Sequence, residues 1–162
     1  MHSTKNSLPV KTRTNLAAIL NQSLADLADL YSQTKQAHWN VRGPHFYTLH
    51  LLFDSLAETV EPHIDDVAER ITALGGIAQG TARLVAAHSR LPEFPLAKSP
   101  DMHFVALLTE RYALCATEIR KAIDEAAQLG DAGTADLLTA VSRDLDKSLW
   151  MLEAHEPRDN NG

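Results

Sequence analysis

The sequence predicts an all-α protein, a four-helix bundle with a long central crossover that contains a short helix. Three observations support this fold class. Apolar residues recur every three or four positions in four long stretches, which is the period of an amphipathic helix. Glycine or proline interrupts the pattern between these stretches, and no run of any length alternates like a β-strand. The link between the second and third stretches is long enough to hold a helix of its own.

The first predicted helix carries a histidine on its apolar stripe. It begins near Asn15, with Thr14 or Asn15 as its cap, and runs to about Val41. Leucine spacing at threes and fours sets the stripe, and His38 falls on it near the end of the helix. His38 therefore points along the same stripe as the leucines.

The second predicted helix is long and contains a proline. The sequence RGPH at 42–45 breaks the first helix, and the apolar pattern then continues over 45–74. Pro62 should kink this helix or leave a carbonyl free, but the pattern stays in phase beyond it, which favours one bent helix. Gly75 and Gly76 end the helix.

The central link decides the topology. Residues 77–100 connect the two halves, and ARLVAAH at 82–88 predicts a short helix, followed by an extended, proline-rich stretch. Four long helices with two short links and one long link indicate a crossover bundle of ferritin-like topology. The alternative is an up-down bundle with a long irregular loop that makes no crossover.

The last two predicted helices form a second pair. Asp101 or Ser99 caps the third long helix, which runs to about Leu129 and is stopped by Gly130. Thr134 starts the fourth. The predicted division of the chain is therefore a flexible tail at 1–13, a bundle at 14–155 and a disordered tail at 156–162.

Composition narrows the possible functions. The net charge of −6 argues against a body that coats nucleic acid. Cys115 is the only cysteine, which excludes a disulfide framework within the chain and a cysteine-based zinc site. No stretch is apolar enough to predict a membrane span, and the N-terminus has no apolar core of a secretory signal.

Two pairs of potential metal ligands lie on the second helix. His50 with Asp54 and Asp65 with Glu69 each have the i, i+4 spacing of neighbours on one helix face. At 100° per residue all four fall on one side, beside the apolar arc, while the centres of the pairs are about 22 Å apart along the axis. No single ion can touch both pairs. The simpler alternative is a solvated charged stripe.

A second copy of the helix would join the half-sites. If an antiparallel copy is related by a two-fold axis near Thr59 and Val60, each pair faces the other pair of its twin, as an isologous interface requires. Carboxylates with imidazole suit iron(II) and also zinc or manganese. The chain has no Glu-x-x-His motif, so metal is not held as in a di-iron site inside one bundle. Each whole site would offer His38, His50, Asp54, Asp65 and Glu69.

Several motifs resemble the Dps family of mini-ferritins over nearly the whole chain, from about residue 15 to 155. They are KQAHWNVRGPHF, LHLLFD, HIDDVAERITALGG, RYALCATEIRKAID and TADLLTAVSRDLDKSLWMLEAH. The resemblance implies a hollow shell of twelve subunits with ferroxidase centres between two-fold-related subunits. It implies two irons per centre, held by His38, His50 and Asp54 of one subunit and Asp65 and Glu69 of the other, with none substituted here.

The resemblance also implies a reaction and further residues. Fe(II) would be oxidised, preferably by hydrogen peroxide, and stored as a ferric mineral in a cytoplasmic shell. Trp39 matches a tryptophan beside the centre that takes part in quenching oxidising equivalents, the alternative being a core or interface aromatic. Asp136 is a candidate for lining an iron entry pore, the alternative being a charge favoured at a helix start. Ala132 and Gly133 replace the acids that often precede it, which departs from the family pattern.

DNA binding is another property on which this sequence departs from the family pattern. Members that bind DNA usually carry several lysines in the N-terminal tail, whereas residues 1–13 hold three basic residues. One tail would touch phosphate weakly, although twelve could add by avidity. The hypotheses are therefore a ferroxidase and iron store, a nucleoid-associated DNA-compacting shell whose metal site is secondary, or a purely structural helical oligomer.

Overall fold

The computed structural model describes residues 1–96 and 100–155, and within them every regular element is a helix. The helices are α1 (Val10–Asn40), α2 (Phe46–Ala73), α3 (Ala82–His88), α4 (Asp101–Gln128) and α5 (Ala132–Glu153). The predicted disordered tail at 156–162 lies outside the described residues. No helix in the described part of the chain combines the length and apolar character that a membrane crossing needs.

The helix contacts confirm the crossover. α1 packs against α2 and α4, and α5 packs against α2 and α4. The chain therefore enters α4 at the corner diagonal to α2, so that the link must cross the bundle instead of turning back beside α2. α3 lies in that link, as predicted, and packs against α1.

The core confirms the leucine stripes. The stripe of α1, from Leu16 to Leu30, is fully buried against residues such as Phe53 of α2 and Leu108 of α4. Tyr112 lies in the centre with its hydroxyl 3.2 Å from Thr34 Oγ1. α2 is a single helix with Pro62 inside it, also as predicted.

The prediction for the start of α1 is wrong. The helix begins at Val10, after Pro9, and Thr14 is a helical residue whose hydroxyl donates to Val10 O instead of capping. The first turn is tied to the bundle by Arg13, which is buried and donates to Leu74 O. Residues 10–13 thus belong to the bundle, whereas the sequence predicts them to be tail.

The starts of the last two helices also differ from the prediction. α5 begins two residues before Thr134, because Asp131 is the cap and accepts from the N–H of Gly133. Asp101 is the first residue of α4 and not its cap, and its carboxylate accepts the N–H groups of Met102 and His45. Ser99, the other candidate cap, lies outside the described residues.

Candidate metal centre

Two histidines from neighbouring helices meet at one end of the bundle. His38 lies in the last turn of α1, and His50 lies near the start of α2. The five residues between the helices reverse the chain and bring the two rings into a stack, with centroids 3.8 Å apart and planes 20° apart. The prediction that His38 shares the apolar stripe of α1 is confirmed, because His38 is buried as the leucines of that stripe are.

Reciprocal hydrogen bonds fix both rings. His38 Nδ1 donates to His50 O at 2.8 Å, and His50 Nδ1 donates to His38 O at 3.0 Å. A carbonyl only accepts, so each Nδ1 carries a proton, and in the neutral ring the lone pair is then on Nε2. Metal-binding histidines are commonly oriented in this way, with the second nitrogen bonded to a backbone carbonyl. The backbone bonds thus orient both rings so that, in the neutral form, Nε2 is the nitrogen that can bind a metal.

Asp54 lies one turn beyond His50 and is paired with a lysine. Its Oδ1 is 3.8 Å from His38 Nδ1 and 2.5 Å from Lys35 Nζ. The hydrogen bond from Lys35 lowers the pKa of Asp54, and the same bond raises the pKa of Lys35. The carboxylate is therefore charged. Any cation that binds Asp54 must displace the Lys35 ammonium or share the carboxylate with it.

Sequence reasoning missed Lys35. Its position three residues before His38 places it on the same side of α1, which was the only signal available. Its partner Asp54 is on another helix, so the ion pair could not be read from spacing within α1.

Asp65 and Glu69 form the distant half of the candidate centre. Asp65 is about 16 Å further along α2 from Asp54, at 1.5 Å per residue. Both side chains are exposed, and neither hydrogen-bonds or pairs with another described residue. Within 1–96 and 100–155, no three His, Cys, Asp or Glu side chains are grouped to hold an ion. The structure thus places Asp54 near the stacked His38 and His50 without forming a group that could hold an ion within one chain, and it leaves Asp65 and Glu69 apart, so the five-residue site stays a prediction.

The remaining predicted residues lie on the surface. Trp39 is 65% exposed, so it is not a core aromatic within one chain. Asp136 is exposed in the first turns of α5, and its place in a pore stays a prediction. His63, which is not among the predicted site residues, is largely covered and bridges α2 and α5 through Asp144, with Nε2 2.8 Å from Oδ2.

The sequence model of the family described as ferritin, ferritin-like domain, matches residues 17–157. The chain is 48% identical over 156 residues to the DNA protection during starvation protein of Agrobacterium fabrum, covering 95% of each chain. This chain belongs to the Dps family of ferritin-like proteins.

Solved Dps structures share the fold. DpsC from Streptomyces coelicolor superposes with a TM-score of 0.90 at 36% identity, covering 94% of this chain and 90% of that one. Mycobacterium smegmatis Dps gives a TM-score of 0.92 at 29% identity, covering 99% and 91%. The Vibrio cholerae Dps protein, with a TM-score of 0.87, 26% identity and coverage of 95% and 96%, is described as one of the ferritin-like diiron-carboxylate proteins.

Proposed function

We propose that this Dps protein is a ferroxidase and iron store that oxidises Fe(II), preferentially with hydrogen peroxide, and protects DNA from oxidative damage. The observation that supports it most is the His38–His50 pair, in which mutual backbone hydrogen bonds use both Nδ1 atoms and leave Nε2 as the nitrogen of each neutral ring that can bind a metal. The ionised Asp54 beside them adds a hard oxygen ligand.

The proposed site is completed by a second copy of the chain. Two-fold pairing of α2 would place Asp65 and Glu69 of one copy opposite His50 and Asp54 of the other. Exposure and lack of partners within the described residues leave both carboxylates free for this role. The site would then hold two iron ions as substrate, with ligands from both subunits, in a shell of twelve.

The chemistry suits this ligand set. Carboxylates stabilise Fe(III) more than Fe(II), so they favour loss of an electron from each ion. Two Fe(II) ions give two electrons to one hydrogen peroxide, and with two protons the products are two Fe(III) ions and two water molecules. Because both electrons move at one site, the O–O bond breaks without release of hydroxyl radical.

Two other residues have proposed roles in this scheme. Trp39, exposed in one chain and next to His38, would lie at the subunit interface and take up stray oxidising equivalents. Asp136 would help line an entry pore, into which the acidic chain, at −6, draws cations. The cytoplasm is the compartment that the Dps family implies for this activity.

The test compares iron oxidation by peroxide in assembled shells, followed by ultraviolet absorbance. His50→Ala and Asp65→Ala should each nearly abolish the fast phase while the shell still assembles. Asp66→Ala is the matched control, because Asp66 is also exposed on α2 but lies outside the ligand set. Unchanged rates in both site variants would refute the assignment of these residues as ligands. This conclusion does not depend on which metal the isolated shell carries.

Mixed shells test whether the site is shared. When His50→Ala and Asp65→Ala subunits are refolded together, a mixed pair has one site with every ligand intact and one site with both ligands missing. We therefore expect mixed shells to regain part of the fast phase that neither variant shows alone. Absence of any recovery, with mixing confirmed by mass spectrometry, would place all ligands in one chain and contradict the proposal.

A further inference from the structure

Lys35 has a second carboxylate within one helical turn of its partner Asp54. One turn further along α1, His38 stacks on His50, which precedes Asp54 on α2, so the two helices run antiparallel. The next turn of α2 after Asp54 therefore lies toward the start of α1. Glu58 is on that turn, four residues after Asp54 and on the same side of the helix.

Glu58 is free to accept a cation. It is exposed and makes no hydrogen bond or ion pair with another described residue. The hydrogen bond to Asp54 is the main cause that raises the pKa of Lys35, and the negative charge of Glu58 raises this pKa further. Glu58 thus already attracts the ammonium through space while Asp54 holds it.

The lysine side chain suits a move from Asp54 to Glu58. Side chains of a helix lean toward its N-terminus, and for Lys35 on α1 this is the direction of Glu58. The two carboxylates are about 6 Å apart along α2, at 1.5 Å per residue, and the lysine stem is flexible. The side chain of Lys35 is 21% exposed, so its head is not enclosed. Rotation of this side chain is therefore sufficient, and neither helix has to move.

We propose that Glu58 receives the Lys35 ammonium when Fe(II) binds Asp54, and that Glu58 is thereby a positioning residue of the ferroxidase site. Iron that takes the Asp54 oxygen must release an ammonium that lies 2.5 Å from it. The released charge would then repel the bound cation, unless another carboxylate balances it. Lys35 stays protonated throughout, so no proton is transferred. This inference rests on the proposed function, because it needs iron at Asp54.

Glu58 favours the loaded site more than the empty one. In the empty site Lys35 bonds Asp54 and is attracted by Glu58 only through space, whereas in the loaded site it bonds Glu58 directly. Only such a difference between the two states changes an affinity. We therefore expect Glu58→Gln to weaken Fe(II) binding by assembled shells about fivefold in anaerobic calorimetry, the effect of one partly exposed ion pair.

The controls separate this role from simple electrostatics, since Glu58→Gln also removes a negative charge near a cation. Asp66→Asn is the matched control, because Asp66 is also exposed on α2 but lies off the side that carries the ligands. It should weaken binding by less than about twofold. The second control is the Lys35→Met background, which has no ammonium to release. There, Glu58→Gln should also cost less than about twofold.

A crystal structure of shells loaded with Fe(II) without oxygen gives a direct view. Lys35 Nζ should lie within hydrogen-bond distance of a Glu58 carboxylate oxygen. Equal losses in Glu58→Gln and Asp66→Asn, a fivefold loss that persists in Lys35→Met, or an ammonium still on Asp54 in loaded shells would each overturn the proposal. Failure of the proposed function is distinct, since His50→Ala would then bind Fe(II) as wild type does, and this inference would fall with it.

Discussion

The crossover link depends on one buried carboxylate of α1. Asp26, whose side chain is 2% exposed, accepts from Arg90 through Nε at 2.9 Å and Nη2 at 2.5 Å, both to Oδ2. Its Oδ1 accepts the backbone N–H of Arg90 at 2.9 Å. Asp26→Asn removes the charge and turns an NH₂ group toward one of these donors, so part of the set is lost whichever way the amide faces.

The size of the loss follows from the burial of the two partners. Breaking a fully buried ion pair costs about 3–5 kcal/mol. Arg90 is 38% exposed and also bonds Glu118, so its guanidinium keeps some solvation and one partner. We therefore expect Asp26→Asn to lower the free energy of unfolding by about 2–3 kcal/mol, less than the fully buried case.

The assay is urea unfolding followed by circular dichroism, at one protein concentration because assembly shifts apparent stability. The control is Asp146→Asn, which breaks the Arg120–Asp146 pair, whose side chains are 52% and 46% exposed. The control should change stability by no more than about 0.5 kcal/mol. If the two variants unfold alike, the buried pair does not anchor the link and the reasoning from burial fails.

Three further predictions follow from other contacts. Lys35→Met removes the ammonium that is paired with Asp54, so assembled shells should bind Fe(II) about tenfold more tightly in anaerobic calorimetry. An unchanged affinity would show that Lys35 does not compete with Fe(II) for Asp54. Tyr112→Phe removes the hydroxyl bonded to Thr34 and Leu56 O, and should cost about 1 kcal/mol in urea unfolding, whereas no loss would mean these bonds add nothing. Burial raises the pKa of Asp131, but hydrogen bonds from Thr134 and Arg70 outweigh it, so the pKa is lowered in the folded protein. The ionised Asp131 carboxylate therefore stabilises the folded protein fully above the unfolded pKa of about 3.9, and this stabilisation is lost as the pH falls through the folded pKa. Asp131→Asn should make the free energy of unfolding depend less on pH over this acidic range.

The parts of the fold that can be predicted from sequence are those set by repeating patterns and by glycine. The leucine stripes, α3 at 82–88 and the helix ends at Gly75 and Gly130 follow from local periodicity and backbone freedom. Helix starts are harder to predict because several residues in a row could act as caps, and tertiary contacts of Arg13 and Asp131 make the choice. Such contacts leave no periodic signal in the sequence.

The candidate site can be predicted to the same extent. Spacing on α2 predicts both candidate half-sites, and the stripe of α1 adds His38, since helical phase is a local property. The reciprocal bonds between His38 and His50 depend on the conformation of the turn between their helices, and the Lys35–Asp54 pair depends on how α1 and α2 pack. Neither could be read from one helix alone.

In the proposed assembly, charge and exposure on α2 would link metal binding to subunit pairing. Tyr47 and Leu51 are exposed apolar residues that fall, at 100° per residue, on the same side of α2 as Asp65 and Glu69. Burying them against a second copy favours pairing, but pairing also brings Asp54 of one chain toward the two carboxylates of the other. Lys35 offsets part of that repulsion, and a bound cation offsets more of it. In the proposed assembly, metal binding and pairing therefore strengthen each other by the same free energy, and weakening either one weakens the other.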